Sequence, residues 1–126
     1  MESKMQIYIA TPVNGRKEKT LEEKQKAAEQ RVDKIADFLM EQYPDAEFVS
    51  SFNIIGVKYH VGDLSEAVIM GACVRMVMES DLVVLDDGWD SSQGCRLEKY
   101  TAMVYDIKWV TLAWLKLNKI FKSEKL

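Results

Sequence analysis

The chain has 126 residues, of which 48% are hydrophobic and 29% are charged. These values are typical of a soluble globular protein, and the length predicts one domain over residues 1–126 that needs no disulfide or metal staple. The formal net charge of −3 gives no electrostatic reason to expect a nucleic-acid polymer or a membrane as partner. Because there is neither a signal-peptide core nor an apolar run of ~20 residues, we predict a cytoplasmic protein.

Strand-like and helix-like segments alternate along the chain. Thr20 and Glu23 fit a capping box at the start of the first helix, and Asp63 and Glu66 can cap the second. A continuous apolar run before Asp86 is typical of a strand that a parallel sheet buries on both faces. The predicted strands are residues 5–10, 46–52, 81–87 and 107–117, and the predicted helices are residues 20–44, 63–79 and 91–106.

This alternation predicts right-handed βαβ units and an α/β fold. We expect a three-layer α/β/α sandwich with a four- to five-stranded, mostly parallel sheet of the flavodoxin or Rossmann kind. Such sheets bind ligands in the crevice beyond the carboxyl ends of their strands. The loops 11–19, 53–62 and 86–94 should meet there.

Glu98 is the unusual residue of the last predicted helix. At ~100° per residue, Leu97, Thr101 and Val104 form the apolar side, and Glu98 lies at the edge of that side. A carboxylate partly out of water must be hydrogen-bonded, ion-paired or raised in pKa. Two interpretations stay open: a boundary glutamate that is salt-bridged to a nearby Lys or Arg, or a functional carboxylate at the mouth of the crevice.

The start of the same helix is a candidate anion site. Asp90, Ser91 or Ser92 can cap the helix, and Gly94 leaves room for a ligand to approach the backbone. Any helix start favours the same residue types, so the pattern alone is weak. Just before it, Asp87 and its neighbour Asp86 either contact a ligand or simply end the strand.

Trp89 offers a flat ring that can stack on a ligand, although tryptophans in a small domain usually pack in the core. In the first loop, Arg16, Lys17 and Lys19 either face a phosphate or are solvated surface charges. His60 is the single histidine, and no serine or cysteine elbow accompanies it, which favours a surface or hinge role. Cys73 and Cys95 form no CxxC pair and are expected to be buried thiols, so we predict no metal site and no cofactor.

Three segments together resemble the nucleoside 2-deoxyribosyltransferase-like proteins: "IYIATPVNGR", "SDLVVLDDGW" and "SQGCRLEKYTA". Within that superfamily the chain is most similar to small bacterial and phage proteins of unknown function, a DUF4406-like family. The resemblance implies that Glu98 is the nucleophile of an N-glycosidase or deoxyribosyltransferase and that Tyr8 orients it. It further implies a small nucleotide or nucleoside as substrate, held by Thr11, Asn14, Arg16, Asp87, Trp89, Ser92 and Gly94.

Ser92 narrows the implied substrate. At this position, nucleoside-using relatives carry an aspartate for the sugar 5′-hydroxyl, whereas nucleotide N-glycosidases carry a serine that donates to phosphate. Ser92, with Arg16 or Lys17 as countercharge, therefore favours a 5′-phosphorylated substrate. Two departures oppose catalysis: Cys73 stands where relatives carry the acid that protonates the base, and Asn14 stands where nucleotide hydrolases tend to have arginine.

These departures leave other functions open. One is a catalytically silent module that binds a nucleotide; another is an enzyme of different chemistry on the same scaffold. Asp86 or Asp87 is a possible substitute for the missing acid. Relatives complete their site with a residue from a neighbouring subunit, which implies a homodimer or higher homo-oligomer. Apolar residues near the carboxyl terminus either form its interface or cover the sheet of their own chain: Trp109, Trp114, Leu115, Leu117, Ile120 and Phe121.

Overall fold

The computed structural model describes residues 4–13, 20–52 and 66–124. It has four strands: β1 (Gln6–Ala10), β2 (Glu47–Val49), β3 (Leu82–Leu85) and β4 (Lys108–Thr111). It has four longer helices: α1 (Leu21–Met40), α2 (Glu66–Met78), α3 (Gln93–Val104) and α4 (Leu112–Glu124). A single 3-10 turn, Trp89–Ser91, connects β3 to α3.

The four strands form one sheet in the order β2-β1-β3-β4, and every neighbouring pair is parallel. This confirms the predicted α/β class and is consistent with a three-layer sandwich. The carboxyl-terminal segment differs from the prediction, because β4 ends at Thr111 and α4 starts at the next residue. No helix in the described part of the chain is both long enough and apolar enough to cross a bilayer.

Side chains of the central strands alternate between two buried cores, as the two-residue period of a strand requires. On one face, Ile7 and Ile9 of β1 join Leu82 and Val84 of β3 in a core that α1 and α4 cover. On the other face lie Tyr8 and Ala10 of β1 and Val83 and Leu85 of β3, covered by α2 and α3. Tyr8 is therefore directed toward the helix that carries Glu98.

The start of α1 shows how local sequence sets an element. Thr20 is the N-cap: its hydroxyl oxygen accepts the Glu23 N–H at 3.1 Å and donates to the Glu23 carboxylate at 3.2 Å. Thr20 thus supplies the N-cap half of the predicted capping box and satisfies one amide group that has no partner within the helix, while the Glu23 carboxylate accepts from the Thr20 hydroxyl. The helix ends at Met40, before Pro44 is reached.

The apolar tail of the chain divides between core and surface. Leu115 is 4% exposed and packs in the first core with Leu112, so it covers its own sheet. Trp114 and Leu117 are each 54% exposed and point away from that core. The side chains of Ile120 and Phe121 lie outside the described residues.

Candidate functional site at the carboxyl edge of the sheet

The site is assembled where β1 and β3 end side by side. Ala10 and Leu85 are register partners, so the residues that follow them, Thr11 and Asp86, leave the sheet together. The Asp86 N–H donates to the carbonyl oxygen of Ala10 at 3.0 Å, which extends the pairing by one bond. Parallel sheets bind their ligands in the crevice at this position, beyond the carboxyl ends of the strands.

Glu98 lies inside this edge, at the centre of the buried face of α3 rather than at its margin. It is 5% exposed, and the other buried residues of the helix are Cys95, Thr101 and Ala102. Leu97 and Val104, which the sequence pattern places on the inner side, are instead exposed at 39% and 54%. The predicted apolar side was therefore wrong at Leu97 and Val104, whereas Thr101 is buried as predicted, because the inner face of α3 is built from small and polar side chains around the carboxylate.

Tyr8 is the partner of Glu98. Its hydroxyl group donates a hydrogen bond to Oε2 of Glu98, and both side chains are almost completely buried. None of the ion pairs between described residues involves Glu98, so the salt-bridged interpretation is not supported in this part of the chain. A tyrosine donor satisfies the carboxylate without neutralising it.

Burial raises the pKa of Glu98 from 4.5 to about 7, and the hydrogen bond from Tyr8 opposes that rise. The pKa of Tyr8 is raised well above its ordinary value by burial and then by the nearby Glu98 carboxylate, so the phenol remains a donor. Near neutral pH, Glu98 is thus poised between its two protonation states. Groups with pKa values near the working pH are typical of acid–base and nucleophilic sites.

Cys73 of α2 is the third buried member of this group. It is 3% exposed, and its pKa is raised to about 11 by burial and by the charge of Glu98, while hydrogen bonding with Tyr8 lowers it. The thiol is therefore protonated at neutral pH, and it is far too weak an acid to replace a carboxylic acid. Cys73, which stands where the resembled relatives carry an acid, thus lies beside the Tyr8–Glu98 pair.

Asp86 is engaged by a partner that sequence reasoning missed. Arg31 of α1 binds it through two nitrogens, with Nε at 3.0 and 3.2 Å from the two carboxylate oxygens and Nη2 at 2.8 Å from Oδ1. Oδ1 also accepts the Asp87 N–H at 2.7 Å. Nothing local in the sequence announces this pair, because 55 residues separate its members. Asp86 acts as an anchor between β3 and α1, and it is poorly placed to deliver a proton.

Ser92, rather than Asp90 or Ser91, caps α3. Its hydroxyl oxygen accepts the Cys95 N–H at 3.3 Å, and the side chain is buried. Burial raises the pKa of the Cys95 thiol to about 12, whereas a hydrogen bond between the Ser92 and Cys95 side chains lowers it. A side chain added to Gly94 would meet Met70 of α2 at 3.7 Å, which is ordinary contact, so packing alone does not require glycine here.

Trp89 packs against a cation. The Lys99 ammonium lies 4.7 Å from the centre of the Trp89 ring and 4.6 Å from that of Trp109. This arrangement connects the turn before α3, the helix itself and β4 through two cation–π contacts. One face of Trp89 is therefore occupied by Lys99.

The structure describes some of the other predicted site residues but not all of them. Thr11 has a buried hydroxyl oxygen without a hydrogen-bond partner among the described residues, and the Asp87 side chain is 69% exposed beside Arg31. Asn14, Arg16, Lys17 and His60 lie outside the described residues, as does Asp63. No group of three or more potential metal ligands occurs within residues 4–13, 20–52 and 66–124.

Comparison with protein families identifies a family that matches most of the chain. The model of the family described as a domain of unknown function, DUF4406, matches residues 5–111, which include all four strands and the whole of α3. The chain belongs to this family. A search of curated proteins finds no match. The matched residues include Tyr8, Glu98 and the strand ends at the crevice, but the family description assigns no activity to them.

Proposed function

We propose that the protein cleaves the N-glycosidic bond of a nucleotide-like small molecule, with Glu98 as the nucleophile. The observation that supports this most directly is the buried Glu98 carboxyl group, hydrogen-bonded by Tyr8 and located at the carboxyl edge of a parallel sheet. The resemblance of its surrounding segments to nucleoside 2-deoxyribosyltransferase-like proteins supports the same chemistry.

The proposed reaction has two steps. A Glu98 oxygen bonds to the anomeric carbon of the sugar while the bond to the base breaks, and the base nitrogen takes the electron pair and then a proton. Water or a second base next attacks the same carbon and releases Glu98, which gives hydrolysis or transfer. Tyr8 holds Oε2 of Glu98 by its hydrogen bond, so that the other oxygen can reach the sugar.

Substrate binding is proposed for the polar groups around the crevice. The Ser92 hydroxyl group, by turning from Cys95, and the start of α3 would hold an anionic group. The Thr11 hydroxyl, which has no hydrogen-bond partner among the described residues, would hold a sugar or phosphate oxygen. Gly94, Asp87 and Trp89 complete this set within the described residues. Arg16, or Lys17, would supply the countercharge for a 5′-phosphate, with Asn14 beside it. The relatives' subunit arrangement also favours a homodimer or higher homo-oligomer.

A catalytically silent nucleotide-binding module is the second candidate, and Cys73 is the observation that favours it. Its thiol, with a pKa of about 11, cannot protonate a leaving base efficiently. Asp86 is engaged by Arg31, whereas the side chain of Asp87 is 69% exposed and lies 3.8 Å from the same arginine.

Chromatographic measurement of base release distinguishes these functions. The protein is incubated with ribo- and deoxyribonucleosides and with their 5′-monophosphates, with and without an acceptor base. We expect release from the monophosphates, at a rate that rises with pH through about 7 as Glu98 ionises. Release only from free nucleosides, or only with an acceptor base, would instead indicate a transferase and contradict the role given to Ser92.

The variants are chosen to isolate Glu98. Glu98→Gln keeps the shape of the side chain and should abolish base release. Glu79→Gln makes the same substitution at an exposed glutamate and should leave base release unchanged. Tyr8→Phe removes the hydrogen bond that lowers the pKa of Glu98, so its activity should require a higher pH than that of the wild type. If no base is released but calorimetry detects saturable binding of a nucleoside monophosphate, the second candidate is correct.

A further inference from the structure

A shallow groove of about 440 Å³ lies on the outward side of α3. One row of the helix lines it, because positions 93, 96, 100 and 103 fall within an arc of about 80° at ~100° per residue. Glu98 is buried on the opposite side of the helix and does not line the groove. The groove is therefore separate from the Tyr8–Glu98 pair.

The walls of the groove are largely aromatic and apolar. Tyr100 is 64% exposed, and Met103 and Leu97 are 52% and 39% exposed. Trp89, from the turn before α3, is half-buried and completes the wall. Large apolar side chains that stay open to water around one groove are typical of a surface that binds a partner.

Both charged side chains of the groove are cations. Arg96 is exposed and Lys99 is half-buried, and none of the ion pairs between described residues involves either of them. The other polar side chain is the neutral amide of Gln93, so the described residues that line the groove include no carboxylate. The groove is thus locally positive although the chain has a net charge of −3, and it is complementary to an anion.

Lys99 is held in position without an anionic partner. Its ammonium group lies 4.7 Å from the centre of the Trp89 ring and 4.6 Å from that of Trp109. These ring faces fix the side chain but carry no net charge, so the ammonium group keeps its attraction for an anion. Arg96 lies about 4.5 Å before Lys99 along the helix axis, where like charges repel each other. A bound anion would relieve that repulsion at little cost in side-chain entropy at Lys99.

We propose that this groove binds a small aromatic anion, a molecule with a flat ring and a carboxylate or phosphate group. The ring packs against Trp89 and Tyr100, and Arg96 and Lys99 bind the anionic group. The inference is independent of the proposed activity, because Glu98 lies on the other side of α3 and Trp89 is the one residue that the groove shares with the residues proposed for the crevice.

Larger anionic partners fit the groove less well. A nucleic-acid strand or an anionic membrane is bound by several cations that are spread over a wide surface, whereas two cations line this groove. Its volume of about 440 Å³ is in the range of small-molecule sites. Because the groove is shallow and leaves part of a ligand in water, we expect a dissociation constant near the millimolar range.

Two probes that share a ring but differ in charge test the proposal. Naphthoate has the flat ring and the anion, and naphthamide is its neutral analogue. Proton–nitrogen NMR spectra of the isotope-labelled protein, recorded during titration with each probe, report both the affinity and the location of binding. Naphthoate should shift the signals of the Trp89 indole and of the amides around Arg96 and Tyr100 until they saturate. Naphthamide should bind about fivefold more weakly, because it cannot form charge-assisted hydrogen bonds with the cations.

Two variants separate the charge from the ring. Arg96→Gln should raise the dissociation constant of naphthoate about fivefold and leave that of naphthamide unchanged, because it removes a cation and keeps a polar side chain. Tyr100→Ala should weaken the binding of both probes. Arg75→Gln and Trp114→Ala are the matched controls at exposed positions on α2 and α4, and they should bind both probes as the wild type does.

A nucleoside monophosphate and an aromatic carboxylate both have the proposed ring and anion. Titration with adenosine monophosphate distinguishes these two sources. Shifts around Arg96 and Tyr100 would identify a nucleotide as the ligand of the groove. Shifts confined to the crevice around Thr11, with naphthoate still bound in the groove, would identify a carboxylate.

Three results would overturn the proposal. The first is equal affinity for naphthoate and naphthamide, which would mean that the cations do not take part. The second is a set of naphthoate-induced shifts that lies outside the groove, or no saturable shift at millimolar probe. The third is a shift of the same groove signals when the protein concentration alone is raised, which would assign the groove to contacts between protein molecules.

Discussion

Glu98 makes the stability of the fold depend on pH, because its carboxyl group has a pKa of about 7 when buried and an ordinary value of 4.5. A folded-state pKa above the unfolded one means that protonation favours the folded chain. The stabilisation is complete below pH 4.5 and is lost as the pH rises through about 7. The difference corresponds to about 3 kcal/mol of the free energy of unfolding.

Glu98→Gln should therefore abolish this part of the pH dependence. Relative to the wild type, the variant should gain about 3 kcal/mol in free energy of unfolding between pH 5 and pH 8, since the neutral amide carries no burial cost for charge. Urea unfolding at both pH values measures the gain. Glu79→Gln, whose carboxylate is exposed, should show no such gain. If Glu98→Gln and the wild type respond identically to pH, the carboxyl group is not desolvated as described.

The presence of a cysteine rather than an acid at position 73 also has a physical explanation. A second carboxylate at its position would lie beside Glu98 in a buried site, where two negative charges repel each other strongly. The thiol avoids that repulsion because it is neutral at physiological pH. The position is thus compatible with a stable Tyr8–Glu98 pair, whatever supplies the proton to a leaving base.

At the scale of elements, the residue that follows the C-cap of α3 has an unfavourable backbone conformation. Asp106 has a φ of 56°, in the left-handed region that favours glycine. The Ile107 N–H donates to the Ala102 carbonyl at 2.8 Å and the Asp106 N–H to the Met103 carbonyl at 3.4 Å. This is the Schellman pattern, in which glycine is the usual residue at the position of Asp106.

Asp106→Gly should therefore stabilise the fold by about 1 kcal/mol, because glycine adopts this conformation without steric cost. Thermal unfolding should show a rise in Tm of about 4 °C. Asp106→Ala is the comparison and should lower Tm, since alanine has neither the freedom of glycine nor the local hydrogen bonding of aspartate. Equal Tm values for the two variants would contradict the strain at this position.

At the scale of the whole molecule, the sequence predicts those strands and helix ends that depend on a local residue pattern. The continuous run Leu82–Leu85 is completely buried, as a central parallel strand should be, and Thr20 caps its helix as its spacing indicates. The packing partners were not predictable in the same way. Tyr8 and Glu98 are 90 residues apart, so no local pattern pairs them, and the expectation that Tyr8 orients Glu98 came from the family resemblance alone. The inner face of α3 was assigned wrongly because Leu97 and Val104 are apolar but point outward.

The Arg31–Asp86 pair is the long-range contact whose removal should affect the whole molecule most. Asp86 is 3% exposed and would be left as a buried, unpaired carboxylate in Arg31→Met, which keeps most of the apolar stem of the side chain. Losing one partner of a buried ion pair costs about 3–5 kcal/mol. We expect about 3 kcal/mol here, since the Arg31 side chain is itself 37% exposed.

A double-mutant cycle separates the pair from its surroundings. Arg31→Met with Asp86→Asn should recover much of the stability lost in Arg31→Met alone, because no unpaired charge then remains in the core. Urea unfolding at constant pH measures all four corners of the cycle. Arg75→Met provides the scale for an exposed pair, since Arg75 and Glu79 are 84% and 58% exposed and should contribute below about 0.5 kcal/mol. A loss in Arg31→Met no larger than in Arg75→Met would mean that Asp86 is solvated, and that α1 is held to the crevice by apolar packing alone.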